Sequence, residues 1–381
     1  MLQDGRVGYV TNEGRGTLDI IWTCLVTTVF CTWTVQRLQV VPWDNSRTVI
    51  FRKKALWMAV TLLCPEYVTW IALDQHIRAR QYKSCAALRS AGWTLEHAFY
   101  VDMGGLVLMT DESPVFQRQG TNSTLEIGRD NRYTIRLDDL ILLLEHDVLP
   151  VPDIYLRDLK ERSKSDRFAG IVTICQVTYF VAVSFGRIGS HLPISMLEVS
   201  TLAFVSCAIF IEFFWWNKPL DLRSSTITAV LPEKQYAFAA AFPKLQFHFP
   251  DQDAAEMVDL KLFFQRFLGE NDMKDRAIRA VWIGCIFNGI HIAAWNYSFP
   301  TQTESLLWRI ATVGACIAVG CMWAATYVPG KWNSAVLAIL AATFYCFCRL
   351  FIMAEIFCSF RSAPAGLYQT PEWQNAIGLS T

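Results

Sequence analysis

Apolar positions along this chain gather into long unbroken runs rather than short alternating or amphipathic segments. A helix rising 1.5 Å per residue needs about 20 mostly apolar residues to cross the ~30 Å hydrocarbon core of a bilayer. Seven runs meet that length: 18–36, 54–74, 168–186, 194–216, 277–297, 305–327 and 335–358. Trp215, Trp216, Trp295, Tyr297 and Tyr327 fall at their ends, where amphipathic rings favour the headgroup region. The pattern predicts an all-α fold, a polytopic transmembrane helix bundle of about seven spans with two long polar loops. An eighth span follows if Trp93 to Leu108, WTLEHAFYVDMGGLVL, also crosses. Its Glu96, His97 and Asp102 oppose insertion, a central Asp alone costing about 2.5–3.5 kcal/mol. The stretch therefore reads as an interfacial segment bordering a cavity.

The polar stretches divide the chain into a polar N-terminus (1–17), the first transmembrane helices with the interfacial segment (18–109), a polar loop (110–167), further transmembrane helices (168–216), a second polar loop (217–276), the last transmembrane helices (277–358) and a tail (359–381). In the first loop LDDLILLLEHDVL predicts a short amphipathic helix closed by Pro150 and Pro152. In the second, Met257, Leu260, Phe264 and Phe267 share one helical face, suited to a membrane surface or to packing on the bundle. The N-terminus lacks the pattern of a cleaved secretory signal, so the first apolar run is expected to persist as a signal anchor. Orientation turns on 93–109: if it crosses, the basic first loop joins Lys160, Arg162, Lys164 and Arg167 on one side, as the positive-inside rule favours. Asn122 opens a glycosylation sequon, meaningful if its loop is lumenal.

Composition supports a lipid environment, with 53% hydrophobic and only 18% charged residues. The 34 basic and 34 acidic residues cancel, which removes the case for nucleic-acid binding by a basic surface. Most of the 12 cysteines lie within apolar runs, where they behave as small hydrophobes rather than as disulfide or zinc partners. No cofactor or metal is expected. The six histidines are never three to five apart, and an aspartate-rich DDxxD motif, a glycine-rich phosphate loop and a GxSxG elbow are missing. The last apolar helix has no lysine for a retinal Schiff base. At 100° per residue Glu96, His97 and Asp102 would spread around a helix at about 0°, 100° and 240°, too far apart to share one ion.

Ionisable residues inside apolar runs are functional candidates, because each costs free energy unless paired or wet. They are Glu66, Asp74, Glu198, Glu212, His291, Arg309, Arg349 and Glu355, with Glu66 and Arg349 the most central. Pro65 beside Glu66 predicts a kink that would free carbonyls near residue 61 and line a polar pocket. Glu66 is the candidate acid, with His97 and Asp102 as orienting groups; the alternative is a packing ion pair of Glu66 with Arg349. Asn288, His291 and Trp295 recur at three and four, giving one helical face an amide, an imidazole and an indole. With Arg349 they are candidate substrate contacts, or interhelical hydrogen-bonding groups.

Blocks spread over nearly the whole chain carry a resemblance: GRGTLDIIWTCLVTTVFCTWTV (14–35), RKKALWM with CPEYV (52–68), WTLEHAFYVDMGG (93–105), RSKSDRF (162–168), LPISMLEVSTLAF (192–204), WWNKPLDL (215–222), CRLFIMAEIF (348–357) and LYQTPEW (367–373). In these the chain resembles a large family of uncharacterised fungal polytopic membrane proteins. Trp93, Thr94, His97, Asp102 and Glu198 match that family's pattern, whereas Glu96 and Ser165 depart from it. The resemblance implies proximity to secondary-metabolite genes, and so polyketide or terpenoid chemistry by analogy. The expectation is an endoplasmic-reticulum membrane enzyme or accessory factor that acts on a lipophilic small molecule beside other biosynthetic enzymes. Acid-assisted cyclisation or isomerisation fits a buried carboxyl. The alternative is a non-catalytic transporter, sensor or scaffold.

Overall fold

The computed structural model describes residues 5–11, 15–37, 47–109, 132–157, 159, 167–220, 226–229, 273–325, 327–328 and 331–370. Helices dominate the described residues: α1 (Thr17–Thr34), α2 (Arg47–Leu63), α3 (Pro65–Ala79), α4 (Ala86–Ser90), α5 (Leu95–Asp102), α6 (Leu137–Glu145), α7 (Arg167–Gly189), α8 (Met196–Phe214), α9 (Met273–Ile292), α10 (Gln302–Ala325) and α11 (Lys331–Cys358). Short strands accompany them: β1 (Arg6–Val7), β2 (Leu106–Met109), β3 (Arg132–Ile135), β4 (Thr226–Ala229) and β5 (Ala363–Pro364). The Asn122 sequon and the amphipathic face from Met257 to Phe267 lie outside the described residues.

Among the described residues, five helices are long and apolar enough to cross a membrane: Thr17–Thr34, Ile171–Gly189, Met196–Phe214, Gln302–Ala325 and the stretch Asn333–Ser362. Their outward faces carry large apolar side chains such as Trp22, Phe185 and Phe347, which a bilayer would cover. Two of the seven expected spans behave differently. The run 277–297 gives an apolar helical part, Ile278–Ile292, of 15 residues, about 22 Å and shorter than the hydrocarbon core. The run 54–74 is not one kinked helix but two, α2 and α3, meeting at 110°.

That break follows from one dipeptide. A residue before proline is driven out of the helical region, and Cys64 sits at φ −138°, ψ 68°. Pro65 then starts α3 at its first position, where a missing N–H costs nothing. Glu66 thereby falls in the first turn of α3, at the positive end of a helix dipole.

The segment 93–109 is also not one helix. The eight residues of α5 reach about 12 Å, too short to span. The chain then turns through Gly104, at φ +83°, and Gly105, where a Cβ would lie 2.4 Å from the Tyr100 ring. Only glycine tolerates both positions. Leu106–Met109 emerge as the centre of a three-stranded sheet, antiparallel to β3 with Leu106 opposite Ile135, and parallel to β4 with Leu106 opposite Thr226. The bundle is therefore mostly helical rather than all-α, and parts of both expected polar loops pair with β2. Helix α6 does form where the pattern LDDLILLLE placed it; Leu137, Leu140 and Leu143 are buried, and Asp147 turns the chain at φ +54°.

Helix α1 lies against α7 and α8, α3 against α8 and α9, and α10 between α9 and α11. Small residues let α10 approach its neighbours closely. Ala311, Gly314, Ala315 and Ala318 are buried along it, and a Cβ at Gly314 would crowd Phe344 and Cys348 of α11. At one end the two ends of the described chain meet: β1 pairs with β5, and Arg6 reaches the Ser298 and Ser362 carbonyls at 2.7 and 2.6 Å. Arg187, fully buried, donates to the carbonyls of Pro193, Gly366, Leu367 and Gln369.

Candidate functional site

The α2–α3 break places Glu66 against α11. Tyr345, one turn before Arg349 on that helix, donates its hydroxyl to Glu66 Oε1. Arg349 Nε donates at 3.2 Å to the Leu63 carbonyl at the C-terminal end of α2. The break thus turns the C-terminal end of α2 toward a guanidinium, a charge of the favourable sign, and sets the Glu66 carboxyl at the start of α3. Glu66 therefore bonds to Tyr345 where direct pairing with Arg349 was the alternative expectation.

Helix α9 completes this site. His291 Nδ1 donates to the Phe287 carbonyl at 3.1 Å, which leaves Nε2 as the acceptor facing Arg349 Nη1 at 3.4 Å. The guanidinium lies 4.7 Å from the Phe287 ring centre, a cation–π contact. Asn288 gives its Nδ2 to the Gly284 carbonyl at 2.8 Å, which fixes its amide orientation. On α10, the Trp308 ring is 6.3 Å from that of His291 and 5.7 Å from that of Phe299. Arg349, His291, Asn288 and Trp308 are all fully buried, and Glu66 is 8% exposed.

Four polar atoms here have no hydrogen-bond partner: Glu66 Oε2, Arg349 Nη2, Asn288 Oδ1 and Trp308 Nε1. A buried polar group left unmade costs about 1–3 kcal/mol, more if charged. Four in one interior are a large fraction of the stability of a folded domain. Such a cluster marks a place built to receive polar groups.

The expected members of the site are not all together. His291 and Arg349 meet beside Glu66, with Asn288 one turn before His291 on α9, but Trp295 does not join them, because α9 ends at Ile292 and Trp295 lies in the turn beyond. It is 38% exposed and covered by Arg309, whose guanidinium is 5.1 Å from its ring. Asp102 pairs instead with Arg78 at 3.4 Å. Arg78 is twelve residues beyond Glu66 on α3, about 18 Å along the axis, too far for one reaction centre. His97 serves the fold: its Nδ1 accepts from the Thr94 N–H at 3.1 Å, and Nε2 faces the Ile154 carbonyl at 2.9 Å. Tyr345 and Trp308 were missed. Tyr345 could have been found from its four-residue spacing to Arg349, whereas nothing in the apolar run singles out Trp308.

Of the other embedded charges, Glu355 on α11 is buried with Oε1 unpartnered, and the rest have structural partners. Glu198 closes a capping box with Ser195 at the start of α8, and its other oxygen meets Arg15 at 2.6 Å. Glu212 pairs with Arg37 at 2.6 Å, and Asp74 with Arg78 at 3.3 Å. Just past α8, Lys218 is buried with Nζ 2.9 Å from Gln75 Oε1 and 4.1 Å from the Trp215 ring centre. Burial pushes its ammonium down to about 7; Asp102 opposes the shift, and Arg37 and Arg78 add to it. Among the described residues, no group of three His, Cys, Asp or Glu side chains is placed to hold a metal ion.

A helical bundle with membrane-length spans and a buried polar centre defines the class. Residues 4–241 match a family of unknown function, DUF8562, and the chain belongs to that family. The match takes in Glu66, Arg78, Asp102 and Lys218 but ends before α9, α10 and α11. Neither the curated proteins nor the solved structures compared with the chain gave a match.

Proposed function

We propose that this chain is a multi-pass membrane protein of the endoplasmic reticulum that works in fungal secondary metabolism, using Glu66 as an acid on a lipophilic terpenoid or polyketide. The observation that carries this reading is Glu66 itself: one oxygen is held by the Tyr345 hydroxyl, while the other is buried and unpartnered beside a helix break. A carboxyl so placed delivers a proton from Oε2 to a substrate C=C bond or epoxide. An internal π bond closes on the resulting cation, and loss of a proton returns the carboxylate to its acid form. The sum is a cyclisation or isomerisation that consumes no oxidant or cosubstrate. The Trp308 ring, beside that of His291, suits a passing cation. The five long spans, the broken α2–α3 pair and the apolar part of α9 are the seven membrane segments of this reading.

Product formation in a reconstituted pathway tests it. Glu66→Gln is expected to abolish the product while the protein still elutes as a single folded species in detergent. Full product from that variant would end the acid role.

One observation favours a second reading, a carrier for the same kind of molecule. Discontinuous helices whose ends face a central site are a feature of secondary transporters, and α2–α3 is such a pair. Metabolite profiling of a deletion strain separates the two, since an accumulated precursor indicates the enzyme and a retained final product indicates the carrier. A scaffold for other biosynthetic enzymes would instead release those enzymes from the membrane.

A further inference from the structure

We propose that the molecule received at the Glu66 site carries a hydroxyl and a carbonyl-type oxygen on an apolar frame; this rests on the reading of Glu66 as the reacting acid. The three remaining unpartnered atoms state what the ligand must present. Arg349 Nη2 and Trp308 Nε1 are donors only, so they require an oxygen acceptor. Asn288 Oδ1 is an acceptor, its orientation fixed by the Nδ2 bond to Gly284, so it requires an O–H.

These atoms are joined through one residue. His291 touches Arg349 through Nε2, stacks near the Trp308 ring, and lies one turn from Asn288 on α9. The donors come from α10 and α11 and the acceptor from α9, so the carbonyl oxygen belongs on the α10–α11 side and the hydroxyl on the α9 side. Glu66 Oε2, on α3, is left for the reacting bond. Arg349 is held by Leu63, His291 and the Phe287 face, which prepares its free Nη2 for one direction of approach.

A hydrocarbon would satisfy none of the three atoms. A simple ketone has no O–H for Asn288 Oδ1, and a simple alcohol must answer three atoms on three helices with a single oxygen. A hydroxy ketone or a hydroxy acid satisfies all of them. Because a guanidinium donates equally to a ketone or a carboxylate oxygen, the two sources share one chemistry and are separated by experiment.

Binding to the full chain purified in detergent provides the test, by calorimetry with four probes of equal chain length: a β-hydroxy ketone, the matching β-hydroxy acid, the ketone alone and the alcohol alone. At least one bifunctional probe is expected to bind about tenfold or more tightly than either monofunctional one. The hydroxy acid leads if Arg349 receives a carboxylate, and the hydroxy ketone leads if it receives a neutral carbonyl. Trp308→Phe is expected to reduce the advantage over the alcohol, since Arg349 Nη2 still favours a carbonyl, and Asn288→Leu to erase the advantage over the ketone. Both variants avoid Glu66, Tyr345 and Arg349 and spare the ionised groups on which folding depends. Equal binding of all four probes, or an unchanged ranking in both variants, would overturn the proposal. If selectivity is absent yet Glu66→Gln still stops product formation, the ligand class falls and the acid role stands. If the ranking holds while Glu66→Gln forms full product, recognition stands and the acid role falls.

Discussion

Removing the Arg78 guanidinium tests how the membrane bundle is fastened to the small sheet beside it. Arg78 on α3 places Nε 3.3 Å from Asp74 Oδ2 and Nη1 3.4 Å from Asp102 Oδ1 at the end of α5. The two carboxylate side chains are 9% and 5% exposed, whereas Arg78 keeps 23% of its surface wet. Arg78→Met preserves much of the side-chain volume but strips the cation from both acids. Losing one partner of a buried pair costs about 3–5 kcal/mol, and the partly wet guanidinium puts this case near the lower end, about 3 kcal/mol. That corresponds to about a hundredfold change in the folded-to-unfolded ratio. Asp102→Asn, which leaves Arg78 its Asp74 partner, should cost less, about 1.5 kcal/mol. The double variant should then fall short of the sum by about 1 kcal/mol or more, because the second change removes an interaction already gone. Equilibrium unfolding in mixed micelles, followed by tryptophan fluorescence, measures all three. A loss below about 0.5 kcal/mol for Arg78→Met, or strict additivity, would show the cluster to be no more than an exposed ion pair and refute the reasoning.

Three other outcomes follow from the geometry. Lys218 holds its proton up to its ordinary pKa when unfolded but only to about 7 when folded. Folding therefore releases a proton between those values, and stability should rise with pH across that window, a slope that unfolding titrations of Lys218→Met should lack. Gly105→Ala would drive a Cβ into the Tyr100 ring and should destabilise by about 1–3 kcal/mol, read as a lowered melting temperature in detergent. Arg187→Met would strand four carbonyls, three of them in the 366–369 segment, so limited proteolysis should cut near the C-terminus in the variant and spare the parent protein.

Elements with a strong local pattern were legible before any coordinates. Long apolar runs gave α1, α7, α8, α10 and α11, and the amphipathic spacing of Leu137, Leu140 and Leu143 gave α6. The reading failed where one or two residues overrode the run. Cys64–Pro65 turned an expected kink into a 110° break, and Gly104–Gly105 turned an expected interfacial segment into helix, turn and strand. Hydropathy averages over such residues, while backbone sterics act on each singly. The candidate site shows the same division. Glu66, Arg349, His291 and Asn288 stood out because polar groups are expensive in lipid, and His291 and Arg349 do meet beside Glu66. His97 and Asp102 stood out for the same reason but satisfy local partners. Trp295 fell away because helical spacing was extended past the end of α9. No periodicity in one sequence shows which polar group will meet which, since that depends on contacts such as Tyr345 with Glu66, 279 residues apart.

The central claim is that lipid covers the outward faces of the long helices and so makes their interior charges meaningful. Alkaline carbonate extraction of membranes from cells expressing the full chain tests it most directly. The protein is expected to stay with the membrane pellet and to enter solution only with detergent. Release into the carbonate supernatant as a monodisperse species without detergent would contradict it.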